Sequence, residues 1–146
     1  MSSTSDYIIL LKKILTLLKN SKLEYLKASD ESNLSSDKRH FNLQSTLRNR
    51  YFQDVIKLLR ALDVEVENLI THRLNFEQMV ISSIKIPNHT HLNKSIKLDQ
   101  SLLALYDEAL AIDPSNLVLK SQRDKIAESV SEGIYSLENV GLILES

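Results

Sequence analysis

SDYIILLKKILTLLKNSKLEYLKAS, residues 5–29, reads as a single amphipathic helix. Ile8, Leu11, Leu15, Leu18 and Tyr25 fall on one stripe at helical spacing, and Leu10, Ile14, Leu17 and Ala28 widen it. A face that broad suits a helix packed on two neighbours. Ser5 is the expected N-cap, its side-chain oxygen accepting from an orphan amide, and Asp6 favours the positive end of the helix dipole. The predicted span, Tyr7 to Ser29, is about 35 Å long at 1.5 Å per residue. Such a helix reaches across a bundle and is not stable alone.

Three further stretches have bundle length. The polar segment DESNLSSD, residues 30–37, predicts a loop, and a second helix starts near Asp37 or Lys38. Its inward line is Leu47, Tyr51, Val55, Leu58 and Leu62, flanked by Phe52 and Leu59. Residues 63–67, DVEVE, weaken the helical pattern without Gly or Pro, which predicts a bend. A shorter helix follows over about residues 67–83, with Leu69, Ile70, Leu74, Phe76, Met79 and Val80. Pro87 ends that element, and PNHTHLN, residues 87–93, reads as a loop. The next helix runs from Lys94 to Ile112 on Ile96, Leu102, Leu103, Tyr106, Ala109 and Leu110. Asp113-Pro114 predicts a boundary, with Asp as N-cap and Pro at the first helical position. The last helix then spans Pro114 to Asn139 on Leu119, Ile126, Val130, Ile134 and Leu137. The expected fold is all-α: a ferritin-like four-helix bundle, with a short extra helix in the crossover between the second and third long helices.

Composition agrees. The 146 residues suit one domain, and 2 Gly with 2 Pro leave little material for turns. Acidic and basic residues nearly balance, 19 against 18, so no general attraction to nucleic acid or an anionic membrane is expected. The absence of Cys excludes disulfides, thiolate metal sites and Cys nucleophiles. Asp6 precedes the first apolar run and Lys12-Lys13 split it, which argues against a signal peptide. No apolar window is long enough for a membrane span. A cytoplasmic setting is expected, and the Asn-x-Ser/Thr triplets at Asn33, Asn88 and Asn93 are then chance matches.

Several segments resemble a bacterial family of ferritin-like four-helix bundles, a domain of unknown function sometimes linked to stress responses. LEYLKASDE, with Tyr25 and Ala28, resembles that family's first-helix Gly-Tyr-x-x-Ala segment, with Glu24 where Gly is usual. His72-Arg73, followed by Phe76, resembles its crossover His-Arg-x-x-Trp segment. DQSLLALYDEAL, with Asp99, Tyr106, Ala109 and Leu110, is similar to its acidic third-helix segment ending Tyr-x-x-Ala-Leu. The resemblance spans most of residues 7–139 and implies the bundle fold without an activity. Separately, YDEALAIDPSN is similar to the end of a tetratricopeptide repeat. That architecture recurs every 34 residues, and 34 residues before Tyr106 lies His72, with no similar segment around it. The match therefore reads as a helix–Pro–helix joint.

A di-iron bundle takes a Glu from each of two helices and a Glu-x-x-His from each of the other two. The carboxylates in register are Glu24, Asp54, Asp99 and Glu128, but Lys57 and Ser131 stand where the histidines are needed. The set is degenerate: no metal and no cofactor are expected, and the four read as surface or boundary carboxylates in helical ion pairs. Asp37-x-x-His40 reads as a helix start rather than a ligand pair, and His89-x-His91 as a solvated loop with at most a weak surface ion. His72 reads as a packing residue on the crossover. Lys38, Arg39, His40, Arg48 and Arg50 read as a solvated basic face. No Gly-x-Ser-x-Gly elbow or phosphate-binding glycine loop exists, so neither catalysis nor a small-molecule substrate is inferred. The expected function is a non-enzymatic structural or interaction module, against a rival reading as a metal-dependent oxidoreductase with a decayed site. Ile9, Leu142 and Leu144 exceed what the stripes turn inward, which points to a homodimer or another protein partner, or to a tail folded over the first helix.

Overall fold

A computed structural model describes residues 2–67 and 90–145, with the backbone alone for residues 2, 3, 90 and 136–145. The described residues form four helices and no strand. They are α1 (Ser2–Glu31), α2 (Ser35–Ala61), α3 (Thr90–Ile112) and α4 (Leu117–Glu145). No described helix is long and apolar enough to cross a membrane. The short helix expected within residues 67–83 falls almost wholly outside the described residues, as do His72 and His89.

The helices are longer than the hydrophobic pattern alone predicts. α1 begins at Ser2, so Ser5 lies inside the helix and is not its cap. α2 begins at Ser35, two residues before Asp37. α3 takes up Thr90, His91, Leu92 and Asn93, four of the seven residues read as a loop. Leu92 explains that gain: it is buried with Tyr25, Ile96 and Val130. α4 begins at Leu117, and Asn116 rather than Asp113 is its N-cap: Asn116 Oδ1 accepts from the Leu119 amide at 3.1 Å, and its carbonyl accepts from the Lys120 amide. Asp113 is drawn away to the hydroxyl of Tyr7, at 2.9 Å.

α2 stops without Gly or Pro. Asp63 adopts a left-handed φ of 60°, which a short polar side chain tolerates. Its amide donates to the Arg60 carbonyl, and the Val64 amide donates to the Leu59 carbonyl. This is the Schellman pattern, closed by packing of Val64 on the same core as Leu59. The expected bend is thus a helix end, and it leaves Leu62 more than a third exposed rather than inward.

Pairings between side chains fix the helix directions. The short loop after α1 makes α1 and α2 antiparallel. Tyr7 meets Asp113, Ser21 meets Asp99 and Glu24 meets His91, so α1 and α3 are antiparallel. Ser129 meets Gln44 and Gln122 meets the Tyr51 carbonyl, so α2 and α4 are antiparallel. It follows that α2 and α3 run parallel. The end of α2 and the start of α3 lie at opposite ends of a bundle whose α2 alone, with 27 residues, is about 40 Å long.

The core runs the length of the bundle. Leu11, Ile14, Leu15 and Leu18 of α1, Val55, Ile56 and Leu59 of α2, Leu102, Tyr106 and Ala109 of α3, and Leu119 and Ile126 of α4 are all buried. α3 and α4 approach closely at Gly133: a Cβ there would lie 2.8 Å from Ile96 Cγ1. That contact accounts for a glycine in mid-helix, where it otherwise costs about 0.5–1 kcal/mol relative to Ala. Leu58, expected inward, is half-buried beside the fully buried Leu59, and Ile134 is 38% exposed.

Truncating Leu59 or Leu102 to Ala opens a cavity between helices and is expected to cost about 2–5 kcal/mol. Asp124→Ala, on the exposed face of α4, is expected to stay within about 0.5 kcal/mol. Urea melts compare the three; equal losses would place the inner faces wrongly.

Candidate functional site

Halfway along the bundle, charge lies inside it. Asp99 of α3 and Arg48 of α2 are both fully buried. Arg48 Nη2 donates to Asp99 Oδ2 at 2.8 Å and Nε donates to Oδ1 at 3.3 Å, a two-point contact between guanidinium and carboxylate. From α1, the Ser21 hydroxyl donates to Oδ1 at 2.8 Å and the Tyr25 hydroxyl to Oδ2 at 2.9 Å. Each carboxylate oxygen therefore accepts two hydrogen bonds. On the far side, Arg48 Nη1 donates to Gln44 Oε1 at 3.0 Å, which also accepts from the Ser129 hydroxyl of α4 at 2.9 Å. The guanidinium carbon lies 5.1 Å from the Tyr25 ring centre and 5.9 Å from that of Tyr51. All four helices supply a member.

Two satellites extend this polar interior. Toward the α3–α4 turn, the Tyr106 hydroxyl donates to Gln122 Oε1 at 2.6 Å, and Gln122 Nε2 donates to the Tyr51 carbonyl. Toward the other end, buried His91 lies between two carboxylates of α1: Nδ1 is 2.6 Å from Glu24 Oε2 and Nε2 is 3.2 Å from Glu31 Oε1. Lys27 Nζ stands 3.8 Å from Glu24 Oε1 and has no hydrogen-bond partner among the described residues.

The four carboxylates in di-iron register do not converge. Asp99 and Glu24 are buried, against their reading as surface or boundary groups, and each is held by a cationic or histidine side chain. Asp54 is half-buried and Glu128 exposed. Among the described residues, no group of three or more His, Asp and Glu is placed to hold a metal ion. His91 is a helix residue in the interior, not a solvated loop ligand. Arg48 leaves the solvated basic face on which its neighbours suggested it lay. Asp37 and His40 are exposed and line an open groove with Ser131, Glu132 and Tyr135. Ile9 is 49% exposed. Leu142 and Leu144 lie on the helical backbone of α4, and their side chains lie outside the described ones.

The cluster is chemically closed. With four donors on its two oxygens and no exposure, Asp99 has no free lone pair directed at an entering substrate. Burial lowers the pKa of Arg48, but the charge of Asp99 and the hydrogen bonds to it outweigh that and leave it above its ordinary value. Burial, then the charge of Asp99, raises the Tyr25 phenol, with Arg48 acting the other way. Comparison with protein-family models, curated proteins and solved structures finds no match for this chain.

Four tyrosines carry a pH prediction. Burial raises the phenols of Tyr25, Tyr51 and Tyr106. Tyr7 is pushed up to about 12, first by burial and then by the hydrogen bond and charge of Asp113. The native state thus keeps protons that the unfolded chain releases from about pH 10. This contribution to stability is complete below about pH 10 and is lost as the pH rises through the native values. Urea melts at rising alkaline pH should show falling stability, with the phenolate absorbance of these four tyrosines appearing together with unfolding. Full phenolate absorbance in a still-helical protein near pH 10.5 would contradict the closed interior.

Proposed function

We propose that this protein is a non-enzymatic, ferritin-like helical bundle that acts as a structural or protein-interaction module and carries no di-iron centre. The observation behind the reading is Arg48 on Asp99. Where a metal bundle brings carboxylates to a shared cation, this chain brings its own guanidinium, and that fixed charge repels a second cation. Lys57, in place of the needed imidazole, is exposed and supplies no ligand. Ferritin-like connectivity is supported by parallel α2 and α3, whose joined ends lie at opposite ends of the bundle and which therefore need one long connection. The proposed family likeness gains from Tyr25 and Asp99: two of the residues that carry the resemblance hydrogen-bond each other in the core. Self-association as a homodimer, with Ile9 at the contact, is the partner reading we favour.

Elemental analysis of protein produced in medium supplemented with iron, manganese and zinc tests the proposal. Substoichiometric metal is expected. Stoichiometric metal that is lost in Asp99→Ala, with helicity retained, would overturn it. Light scattering on the same sample at micromolar concentration is expected to give twice the chain mass, and a monomer would remove the homodimer.

A further inference from the structure

Two stripes on the outside of the bundle, one on α2 and one on α4, match each other. On α2, Arg39, Leu43, Thr46, Arg50, Gln53 and Lys57 alternate steps of four and three, and all six are exposed. On α4, Leu117, Ser121, Asp124, Glu128, Ser131 and Tyr135 follow the same alternation, and all six are exposed. That spacing keeps side chains on one line along a helix and is the one by which two helices pack side by side. Each stripe is about 27 Å long at 1.5 Å per residue. Their charges are opposite: the α2 stripe holds two Arg and one Lys with no carboxylate, and the α4 stripe holds Asp124 and Glu128 with no cation. Leu43, Leu117 and Tyr135, each more than half exposed, add apolar surface to both.

The levels match as well. Inside the bundle the Ser129 hydroxyl meets Gln44 and Gln122 meets the Tyr51 carbonyl, so each step forward along α2 is a step back along α4. On that scale, to within one residue, Arg39 is level with Tyr135, Thr46 with Glu128, Arg50 with Asp124 and Lys57 with Leu117. A twofold axis parallel to the helices preserves every level and carries α4 of one chain over to α2 of the other. A second copy thus meets each stripe with its complement at the same height, twice in one contact, which is the condition of an isologous interface. Pairing α2 with α2 would set cations against cations, and pairing α4 with α4 would set carboxylates against carboxylates, so charge selects the α2–α4 arrangement.

We propose that this side of the bundle is a self-association surface, on which α2 of one chain packs antiparallel to α4 of a second copy. The inference rests on the homodimer reading above and seats its contact on α2 and α4, as the alternative to Ile9. Arg50 faces Asp124 of the partner subunit, with Glu128 of the partner subunit one turn away. Arg39 lies against the ring of Tyr135 of the partner subunit, a cation–π arrangement. Exposed ion pairs contribute little affinity. Burial of Leu43, Leu117 and Tyr135 therefore drives the association, and the charges set partner and register.

Charge exchange between two full-length variants, followed by sedimentation equilibrium, tests the contact. Arg50→Glu sets like charges together in its own homodimer, and so does Asp124→Lys. Each alone should dimerise at least about tenfold more weakly than the unchanged chain, with unchanged circular dichroism. Mixed in equal amounts, the two variants have opposite charges at both contacts, and the dimer mass should return. Retained dimerisation in the single variants, or failure of the mixture to recover it, overturns the proposal. A dimer that dissociates in Ile9→Glu and not in Arg50→Glu also overturns it, while leaving the homodimer itself in place. An unchanged chain that stays monomeric at micromolar concentration removes both the homodimer and this surface.

Discussion

The contact between Arg48 and Asp99 is the constraint that the rest of the bundle satisfies. Neither charge has access to water, and an unpaired ion in an apolar interior costs several kcal/mol. The two must therefore meet, and their remaining hydrogen-bonding capacity must be filled. Ser21 and Tyr25 fill it from α1, Gln44 from within α2, and Ser129 closes the circuit from α4. Advancing any one helix by a single residue turns its face by about 100° and removes its donor from the cluster. Greasy stripes tolerate sliding; this cluster does not. The charges contribute less to net stability than to a unique register, because a buried ion pair roughly breaks even against well-packed apolar residues.

Polar pairs at the two ends complete that registration. Tyr7, Asp113 and Asn116 tie the start of α1 to the turn between α3 and α4. His91 with Glu24 and Glu31 ties the start of α3 to the end of α1. Between them, the Gly133–Ile96 approach draws α3 and α4 together. A bundle with two parallel neighbours in sequence gets little guidance from short loops, so specific polar contacts are where alignment of α2 with α3 is encoded.

Four helices and most of the apolar core could be read from the sequence, because period 3.6 in Leu and Ile is a local signal. The inward faces of Leu11, Leu15, Leu18, Val55, Leu102 and Ile126 followed from it directly. What composition concealed was the buried charge. Arg48 sits among basic residues, and residue type alone assigned it to solvent. Spacing says otherwise: Phe41, Ser45, Arg48, Phe52, Val55 and Leu59 alternate steps of three and four, which is the inward seam of a bundle. Ser95, Asp99, Leu102, Tyr106 and Ala109 do the same on α3. An Arg and an Asp each standing on such a seam are candidates for each other. The burial of His91 was hidden for a different reason, since Pro87 and polar neighbours gave its segment the look of a loop while Leu92 carried the helix upstream. The α2 terminus was hidden too, because Asp63 supplies a left-handed residue without the glycine that usually marks one.

A double-mutant cycle of Arg48→Met and Asp99→Asn, followed by urea unfolding, measures the central claim most directly. Each single change leaves one buried charge unmatched and should cost about 3–5 kcal/mol. The double variant, with neither charge, should lose far less than the sum, giving a coupling toward the upper end of the roughly 0.5–3 kcal/mol found within one network. Additivity within about 0.5 kcal/mol would mean that the two side chains do not meet in the core, and the account of the bundle's register would fail with it.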